Sequence, residues 1–320
     1  MPLIPKSSYR PPWWLKNKHL STIIPSLLRE VKGVNYVRER IITPDEDFID
    51  LDWFKNNNNQ LIILLHGLEG DSDRGYMKGM AKYFHDRKWD VVAYNCRGCS
   101  GEANTQPRLY HHGDTDDVSC VMEHINRTSS YEKIAMIGFS MGGSLILNYL
   151  GNKRHTIPSD IKAAATFSVP CDLKASAMKL SQKGNSFYKK RFLKKLANKI
   201  KQKAIQFPDV ISADGVEQIE SFYDFETKYT APLHGFENAD TFYEYATANN
   251  YLKNIQIPTL IVNAANDPMF SEACYPKNEV KDLENVYLEI PKYGGHVGFP
   301  KFSLNENWME SRAYEFINEN

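Results

Sequence analysis

The sequence predicts an α/β fold with a doubly wound, mostly parallel sheet and a helical cap inserted between two of its strands. Short apolar runs alternate along the chain with segments of helical spacing, and this alternation is typical of a parallel sheet covered by helices. The run 61–65 is wholly apolar, as expected of a central strand buried on both faces. The alternation stops at Pro170 and resumes at Ile257, and the interval is largely helical in pattern. We therefore expect residues 171–250 to form a cap over the strand ends.

The segments before this alternation are of two kinds. Residues 1–30 are rich in aromatics and prolines between Pro11 and Pro25, a pattern too irregular for a long helix. We expect them to form an arm packed on the core, with a lining for the entrance to a binding site as the alternative. Two alternating segments, 36–43 and 48–54, predict a hairpin of strands.

The core is predicted to comprise residues 31–170 and 251–320. Its strands follow the apolar runs, and its helices follow segments whose apolar residues recur at helical spacing. The expected strands are 61–65, 90–94, 133–137, 161–169, 259–263 and 286–290. The expected helices are 77–84, 114–127, 143–150 and 306–317.

Composition and charge exclude several classes of protein. The 320 residues are 42% hydrophobic and 24% charged, which is ordinary for a globular protein. Lys+Arg and Asp+Glu both number 39, so the net charge is zero and a general nucleic-acid binder is not expected. The first six residues lack an apolar signal region, and no apolar run has membrane-spanning length. We expect a cytoplasmic, soluble protein whose five cysteines are free thiols.

The chain is organised around Gly138-Phe139-Ser140-Met141-Gly142. An apolar run leads into this pentapeptide and a helical pattern leads out of it, which predicts a strand-to-helix turn. Gly-x-Ser-x-Gly in that context is typical of a nucleophile elbow, in which a strained turn holds the serine clear of the backbone. Gly138 and Gly142 have no Cβ where the strand and the helix cross closely. Ser140 is therefore the candidate nucleophile.

A serine nucleophile needs a base within hydrogen-bonding reach and an acid that orients the base. In this architecture the order along the chain is serine, acid, histidine, each after a strand. Asp267 follows the predicted strand 259–263, and His296 lies in a glycine-flanked loop after the last strand. We assign Asp267 as the acid and His296 as the base. Asp172, after the preceding strand, is the alternative acid.

The carbonyl oxygen that a serine attacks becomes negatively charged in the transition state, and backbone N–H groups stabilise that charge. The N–H of Met141, the residue after the nucleophile, is one expected donor. The loop after the first parallel strand supplies the other, which we assign to the N–H of Leu68. His66 and Gly67 are expected to support this loop, with His66 as a base the alternative.

Two smaller motifs are expected to have structural roles. Cys96 and Cys99 have the spacing of a metal or redox pair, but no second pair or matching histidine spacing lies nearby, so loop packing is expected. The pair His111-His112 is also expected to be structural, with Asp114 as a helix N-cap. No metal ion or organic cofactor is expected.

The stretch 174–203 contains many lysines and arginines and no acidic residue. A basic helix with its apolar residues on one face is a means of weak contact with an anionic membrane surface. The following stretch, 209–244, is mostly acidic and is able to neutralise the basic one within the cap. We favour this second interpretation, in which the charged side chains form a solvated face.

These motifs resemble those of the α/β-hydrolase superfamily and, within it, the YheT-like hydrolases. The resemblance covers almost the whole chain and is most specific in 12–22, 65–70, 95–101, 110–114 and 138–143. It implies an α/β-hydrolase fold with a triad on Ser140, Asp267 and His296. Relatives are described as carboxylesterases, acylglycerol or phospholipid lipases, or acyl-ester synthases that act on medium-chain acyl groups. The lysine-rich stretch is least like the relatives, so substrate specificity that depends on the cap does not carry over.

The expected function is hydrolysis of small-molecule carboxylic esters with short or medium acyl chains, through an acyl-enzyme on Ser140. An acyltransferase or ester synthase, in which an alcohol replaces water, has the same motifs because it shares the acyl-enzyme. A third interpretation is a non-catalytic protein that binds a ligand or a membrane on the same fold.

Overall fold

The computed structural model describes residues 2–320. Within them the chain folds around a nine-stranded sheet made of β1 Leu3–Ile4, β2 Val37–Ile42, β3 Phe48–Phe54, β4 Gln60–Leu65, β5 Asp90–Asn95, β6 Lys133–Phe139, β7 Ile161–Phe167, β8 Thr259–Val262 and β9 Val286–Glu289. The spatial order is β1-β9-β8-β7-β6-β4-β5-β3-β2. The pairings β2–β3 and β3–β5 are antiparallel, and the other pairings are parallel. The predicted mostly parallel sheet is confirmed.

Helices cover both faces of this sheet. The α-helices are α1 Lys18–Leu28, α2 Gly75–His85, α3 Thr115–Thr128, α4 Met141–Gly151, α5 Leu173–Leu180, α6 Ser186–Gln206, α7 Phe222–Phe225, α8 Ala231–Leu233, α9 Ala239–Ala246, α10 Lys277–Val280 and α11 Trp308–Glu319. Side chains of α2 and α11 pack in one hydrophobic cluster, and those of α3 and α4 pack in another. Along β4, Leu61, Ile63 and Leu65 belong to one cluster and Ile62 and Leu64 to the other, so this strand is buried on both faces.

The first thirty residues contain regular structure that the sequence did not predict. β1 adds a strand beside β9, and α1 is an 11-residue helix. The expectation that this stretch is too irregular for a long helix is therefore wrong. The Asn17 side chain accepts the N–H groups of His19 and Leu20, so it caps the start of α1. The internal Pro25 removes one backbone hydrogen bond but does not end the helix, which packs against α2.

The segment between β7 and β8 holds helices α5 to α9. Apolar side chains of α5, α6 and α9 join the hydrophobic cluster of α3 and α4, so these helices share one core with the sheet. Between α7 and α8 the backbone forms a π-helix, Glu226–Thr230, which makes the chain from Phe222 to Leu233 one helical stretch with a wide turn. No helix in residues 2–320 combines the length and the apolar character needed to cross a membrane.

Three loops at one edge of the sheet hold the residues singled out as nucleophile, acid and base. The chain turns from β6 into α4 at Ser140, Asp267 lies in the loop after β8, and His296 lies in the loop after β9. These are carboxyl ends of parallel strands, and parallel strands end at the same edge of a sheet. The topology therefore brings together three residues that are far apart in sequence.

Candidate active site

Ser140 lies on a strained turn between β6 and α4. Its φ angle is +53°, a left-handed value that a residue with a Cβ adopts only when its surroundings enforce it. Close packing supplies that constraint, because a Cβ on Gly138 would lie 2.5 Å from the Gly142 carbonyl oxygen, and a Cβ on Gly142 would lie 2.2 Å from the Leu65 carbonyl oxygen. The side chain of Ser140 thereby stands at the start of α4, where the helix dipole is positive.

The His296 ring connects the serine to the acid. Its Nε2 lies 2.9 Å from Ser140 Oγ, and its Nδ1 lies 2.8 Å from Asp267 Oδ2. Asp267 is buried, and its second oxygen, Oδ1, accepts the N–H of Met269 at 2.8 Å. Asp172, the alternative acid, instead accepts the N–H of Ala175 and caps α5. The geometry brings Ser140, Asp267 and His296 into one hydrogen-bonded line and leaves Asp172 outside it.

Two hydroxyl groups that sequence reasoning missed hold the His296 loop. Thr22 Oγ1 accepts the N–H of His296, and Ser168 Oγ accepts the N–H of Val297, both at 2.9 Å. A Cβ on Gly295 would lie 2.5 Å from Thr22 Oγ1, so α1 presses directly against this loop. Thr22 lay within a motif that carried the family resemblance, whereas Ser168 had no signal in the sequence.

The two expected N–H donors are placed where the elbow and the loop after β4 meet. The N–H groups of Leu68 and Met141 have no acceptor among the hydrogen bonds of residues 2–320. A turn closed by the Gly70 N–H on the Gly67 carbonyl shapes the loop, and the Gly67 N–H is bound to the Tyr76 hydroxyl at 3.1 Å. A Cβ on Gly67 would lie 3.2 Å from the Cβ of Ser140, so this loop passes close to the serine.

The His66 side chain supports that same loop through hydrogen bonds to the backbone. Its Nδ1 lies 2.8 Å from the Gly67 carbonyl oxygen, and its Nε2 accepts the N–H of Cys96 at 3.1 Å. Complete burial lowers the pKa of His66 to about 4, so the ring is neutral at physiological pH. Both ring nitrogens are occupied by backbone partners, and this disfavours the alternative in which His66 acts as a base.

Two cavities meet at Ser140 and His296. The first runs between the sheet edge and the helices of the 173–246 region, and its wall is mainly apolar, with Leu173, Phe222, Phe225, Met269 and Phe270 among the lining residues. The second opens between α1 and α6 and has a basic wall with Arg74, Arg191 and Lys195. The serine therefore has an apolar cavity on one side and a cationic cavity on the other.

Some lysine side chains of α6 point into the protein and others point towards solvent. Lys199 Nζ lies 3.0 Å from Glu69 Oε1 and 3.0 Å from Cys99 Sγ. Lys203 is buried and donates to the carbonyl oxygens of Asn104 and Gln106.

Other lysines of the basic stretch 174–203 form ion pairs with the acidic stretch 209–244. Lys174 pairs with Asp240 at 2.7 Å, and Lys201 pairs with Glu217. Part of the basic stretch is thus neutralised inside the molecule.

The loop with Cys96 and Cys99 is held by a buried ion-pair cluster. Arg97 donates to Asp45, Asp47 and Asp117 at 2.6–2.9 Å. The side chains of Arg97, Asp47 and Asp117 are at most 3% exposed, so these three charges are paired away from water, whereas the Asp45 side chain is 40% exposed at the edge of the cluster. The cysteine spacing therefore belongs to a loop whose conformation this cluster stabilises.

Only one cluster in residues 2–320 brings three groups of metal-binding type together, namely His111, Asp114 and His234 within 4.8 Å. The His111 Nδ1 accepts the Gly113 N–H, so a neutral ring carries its proton on Nε2 and lacks a free lone pair. Arg108 binds both oxygens of Asp114, which places a positive charge where a cation would sit. We assign no metal to this cluster. Asp114 occupies the predicted N-cap position of α3, but its side chain makes no capping hydrogen bond.

A model of the alpha/beta hydrolase fold matches residues 60–302 of the sequence. The chain is 31% identical over 310 residues to a protein of Escherichia coli strain K12 named "Putative esterase YheT", covering 94% of this chain and 90% of that protein. The chain belongs to the α/β-hydrolase superfamily and, within it, to the YheT-like hydrolases. The predicted family and fold class are confirmed.

Other members of the superfamily are esterases and phospholipases by name. Phospholipase ABHD3 of Mus musculus is 32% identical over 302 residues, covering 91% of this α/β hydrolase and 73% of that protein. Among solved structures, a Pyrococcus furiosus esterase, Pf2001, matches with a TM-score of 0.59 at 17% identity, covering 89% of this hydrolase and 91% of that chain. At that identity the structural match supports the fold alone, whereas the two sequence relatives support hydrolase activity.

Proposed function

We propose that this α/β hydrolase is a serine-dependent hydrolase of carboxylic esters. The observation that supports the proposal most is the line of contacts from Asp267 through His296 to Ser140, at 2.8 and 2.9 Å. His296 Nε2 takes the hydroxyl proton as Ser140 Oγ attacks the ester carbonyl carbon. Asp267 holds the ring and stabilises the imidazolium that forms. The alcohol leaves with the proton from His296, and a water activated by the same ring then releases the acid.

The N–H groups of Leu68 and Met141 are proposed to bind the negatively charged oxygen of the tetrahedral intermediate. They lie on the two backbone segments that flank Ser140, and neither is used by another acceptor in the described part of the chain. The dipole of α4 adds a positive end at the same place. A donor of this kind contributes roughly 10²–10³ in rate, because the charge that it stabilises develops only in the transition state.

The apolar cavity is proposed to take the acyl chain. Its aromatic and aliphatic wall lies against Ser140, so an alkyl chain entering it is removed from water while the ester carbon stays at the serine. The phenyl ring of Phe270 packs edge-on against the His296 ring, with centroids 5.4 Å apart, and shields this side of the imidazole. A short or medium acyl chain is the expected occupant.

A phospholipid is the second candidate substrate, and the cationic cavity favours it. Among the described residues that line this cavity, Arg74, Arg191 and Lys195 are cationic and Glu69 is the one acidic side chain. A phosphate on the leaving alcohol would lie against this wall. The mouse relative is named as a phospholipase, which supports the same candidate.

The experiment is hydrolysis of a series of p-nitrophenyl esters from acetate to dodecanoate, with Ser140→Ala as the test variant. The wild type is expected to hydrolyse part of the series, and the variant is expected to lose about 10⁶ in kcat. A fluorophosphonate probe should label the wild type at Ser140. Full activity in the variant would refute the proposal, and ester formation exceeding hydrolysis in added alcohol would favour acyl transfer instead.

A further inference from the structure

The helical wall of the apolar cavity contains a buried carboxyl group with one oxygen that has no hydrogen-bonding partner among the described residues. Glu226 begins the π-helix Glu226–Thr230 and lines the cavity that reaches Ser140. Its Oε2 is buried and has no hydrogen-bonding partner in residues 2–320. Burial raises the pKa of Glu226 to about 7, so the carboxyl holds its proton through mildly acidic conditions. π-helical turns occur often at functional sites, because the wide turn redirects side chains.

A hydroxyl without a partner lies in the same wall. Tyr243, on α9, lines the cavity, and its hydroxyl is buried and unpaired within the described residues. Helix α9 packs against the π-helix, so Tyr243 and Glu226 lie in adjacent parts of the same wall. Burial, and to a lesser extent the Glu226 carboxyl and other nearby acidic groups, raise the pKa of Tyr243. Tyr229 offers a contrast, because it lines the same cavity but its hydroxyl donates to the Ser212 carbonyl at 3.0 Å.

Unpaired polar groups are costly in a cavity wall that is otherwise apolar. A buried donor or acceptor without a partner loses roughly the full desolvation free energy of the group, and most buried polar groups in proteins are paired. Leucine and phenylalanine would fill the positions of Glu226 and Tyr243 without that cost. The two groups are therefore suited to a hydrogen-bonding ligand that enters the cavity.

We propose that Glu226 and Tyr243 form a recognition site for a hydroxyl group on the acyl chain of the substrate. This inference rests on the proposed function, and it narrows the substrate class to esters of hydroxylated medium-chain acids. A hydroxyl donates one hydrogen bond and accepts another, so it pairs with the Glu226 carbonyl-type oxygen and with the Tyr243 O–H together. The ester carbon remains at Ser140 while the hydroxyl reaches the helical wall.

The other polar substituents fit this wall less well. A carboxylate on the chain would be repelled by Glu226 in its ionised form, and both charges would be buried together. An ammonium group would have Glu226 as its one acidic partner among the residues lining the cavity. Burying a cation against a single carboxyl in an aromatic pocket costs more than burying a neutral hydroxyl with two partners.

The first test measures binding without turnover. Ser140→Ala is titrated by calorimetry with octanoic acid methyl ester and with the isomers that carry a hydroxyl at successive carbons from the fourth to the eighth. At least one isomer is expected to bind about tenfold more tightly than the plain ester. Equal or weaker binding of every isomer would overturn the inference whether or not the chain is an esterase. It would indicate that water molecules, and not a substrate hydroxyl, form hydrogen bonds with Glu226 and Tyr243.

The second test uses matched variants. Tyr243→Phe and Glu226→Leu should each lower the ratio of kcat/KM for the preferred hydroxylated ester over the plain ester by about tenfold, largely through KM. Tyr229→Phe is the control and should leave that ratio unchanged, because its hydroxyl is already paired within the protein. Tyr243→Phe should also keep or raise the melting temperature, which separates loss of recognition from misfolding. An unchanged ratio in both test variants would contradict the proposed recognition site.

Discussion

The loops around Ser140 and the helical wall opposite them differ in how completely their polar side chains are hydrogen-bonded. In the loops, His296 uses both ring nitrogens and its backbone N–H, and Asp267 uses both carboxyl oxygens. In the wall, Glu226 and Tyr243 each leave a buried polar atom unpaired. The side chains of Ser140, His296 and Asp267 are therefore paired with one another or with the backbone, whereas Glu226 and Tyr243 each have an atom that can take a partner.

This difference follows from what each region has to do. Proton transfer requires donors and acceptors held at fixed distances before the substrate arrives, and a complete hydrogen-bonding network holds them there. Substrate selection requires groups whose hydrogen bonds are made only when the right ligand enters. The sheet edge is therefore the region proposed to set the reaction, and the inserted helices are the region expected to set the specificity.

Among substitutions in the loops around Ser140, Asp267→Asn is expected to cause the largest loss of activity. The amide cannot stabilise an imidazolium and favours the wrong tautomer of His296, so kcat for ester hydrolysis should fall by about 10⁴. Steady-state kinetics on a p-nitrophenyl ester measure the loss. Asp172→Asn is the control, because Asp172 caps α5, and it should change kcat by less than about threefold. Equal losses in the two variants would contradict the assignment of the acid.

The substitution Glu226→Gln tests whether the Glu226 carboxyl in the helical wall is buried, by measuring how the free energy of unfolding depends on pH. The ordinary glutamate value of 4.5 describes the unfolded chain, and the folded pKa is about 7, so the folded state binds the extra proton between these values. Stability from this group is therefore lost as the pH rises from 4.5 to 7. The free energy of unfolding of the wild type relative to the variant should fall by about 2–3 kcal/mol over that range.

Urea unfolding at several pH values measures that difference. The subtraction cancels titrating groups that both proteins share, and Thr230 and Tyr243, which neighbour Glu226, remain in the variant. Above pH 7 the difference should become constant. A difference that does not change with pH would show that the Glu226 carboxyl is not buried and unpaired in solution.

Thr22→Val removes one hydroxyl from the hydrogen-bonded network around His296. The variant keeps the shape of the side chain but leaves the His296 N–H without its acceptor, so the loop that carries the ring is less well fixed. We expect kcat to fall about tenfold with KM nearly unchanged. Thr22→Ser retains the hydroxyl and should behave like the wild type. A loss confined to KM would mean that Thr22 acts on substrate entry instead.

The smallest expected effect concerns the cationic cavity. Arg191→Gln should lower kcat/KM for an ester with a phosphate on the alcohol by about three- to fivefold at low salt, because screening limits the interaction of an exposed charge. Hydrolysis of a neutral ester should not change. Lys190→Gln, on the exposed side of α6, is the matched control. Equal effects on both esters would remove the reason for preferring a phospholipid.

The strands and most helices were predictable from the sequence because their signals are local. Apolar runs such as that of β4 and helical spacing such as that of α3 depend on neighbours a few residues away. The helix α1 was missed because its irregular composition hides a capped helix that tertiary packing stabilises. Ser168 and Thr22 were missed as supports of His296 because single hydroxyl residues are common and mark no site.

Local sequence was sufficient to identify the family and to predict an order of nucleophile, acid and base, since the elbow at Ser140 and the loops after two strands are short motifs. The sequence predicted Asp267 rather than Asp172 as the acid, but the contacts that support this choice, the contacts of His66 and the unpaired atoms of Glu226 and Tyr243 depended on the folded chain. Each of these features depends either on the distance between atoms that are remote in sequence or on the absence of a hydrogen-bonding partner. Such features arise only when the loops, α1 and the inserted helices pack around the same end of the sheet.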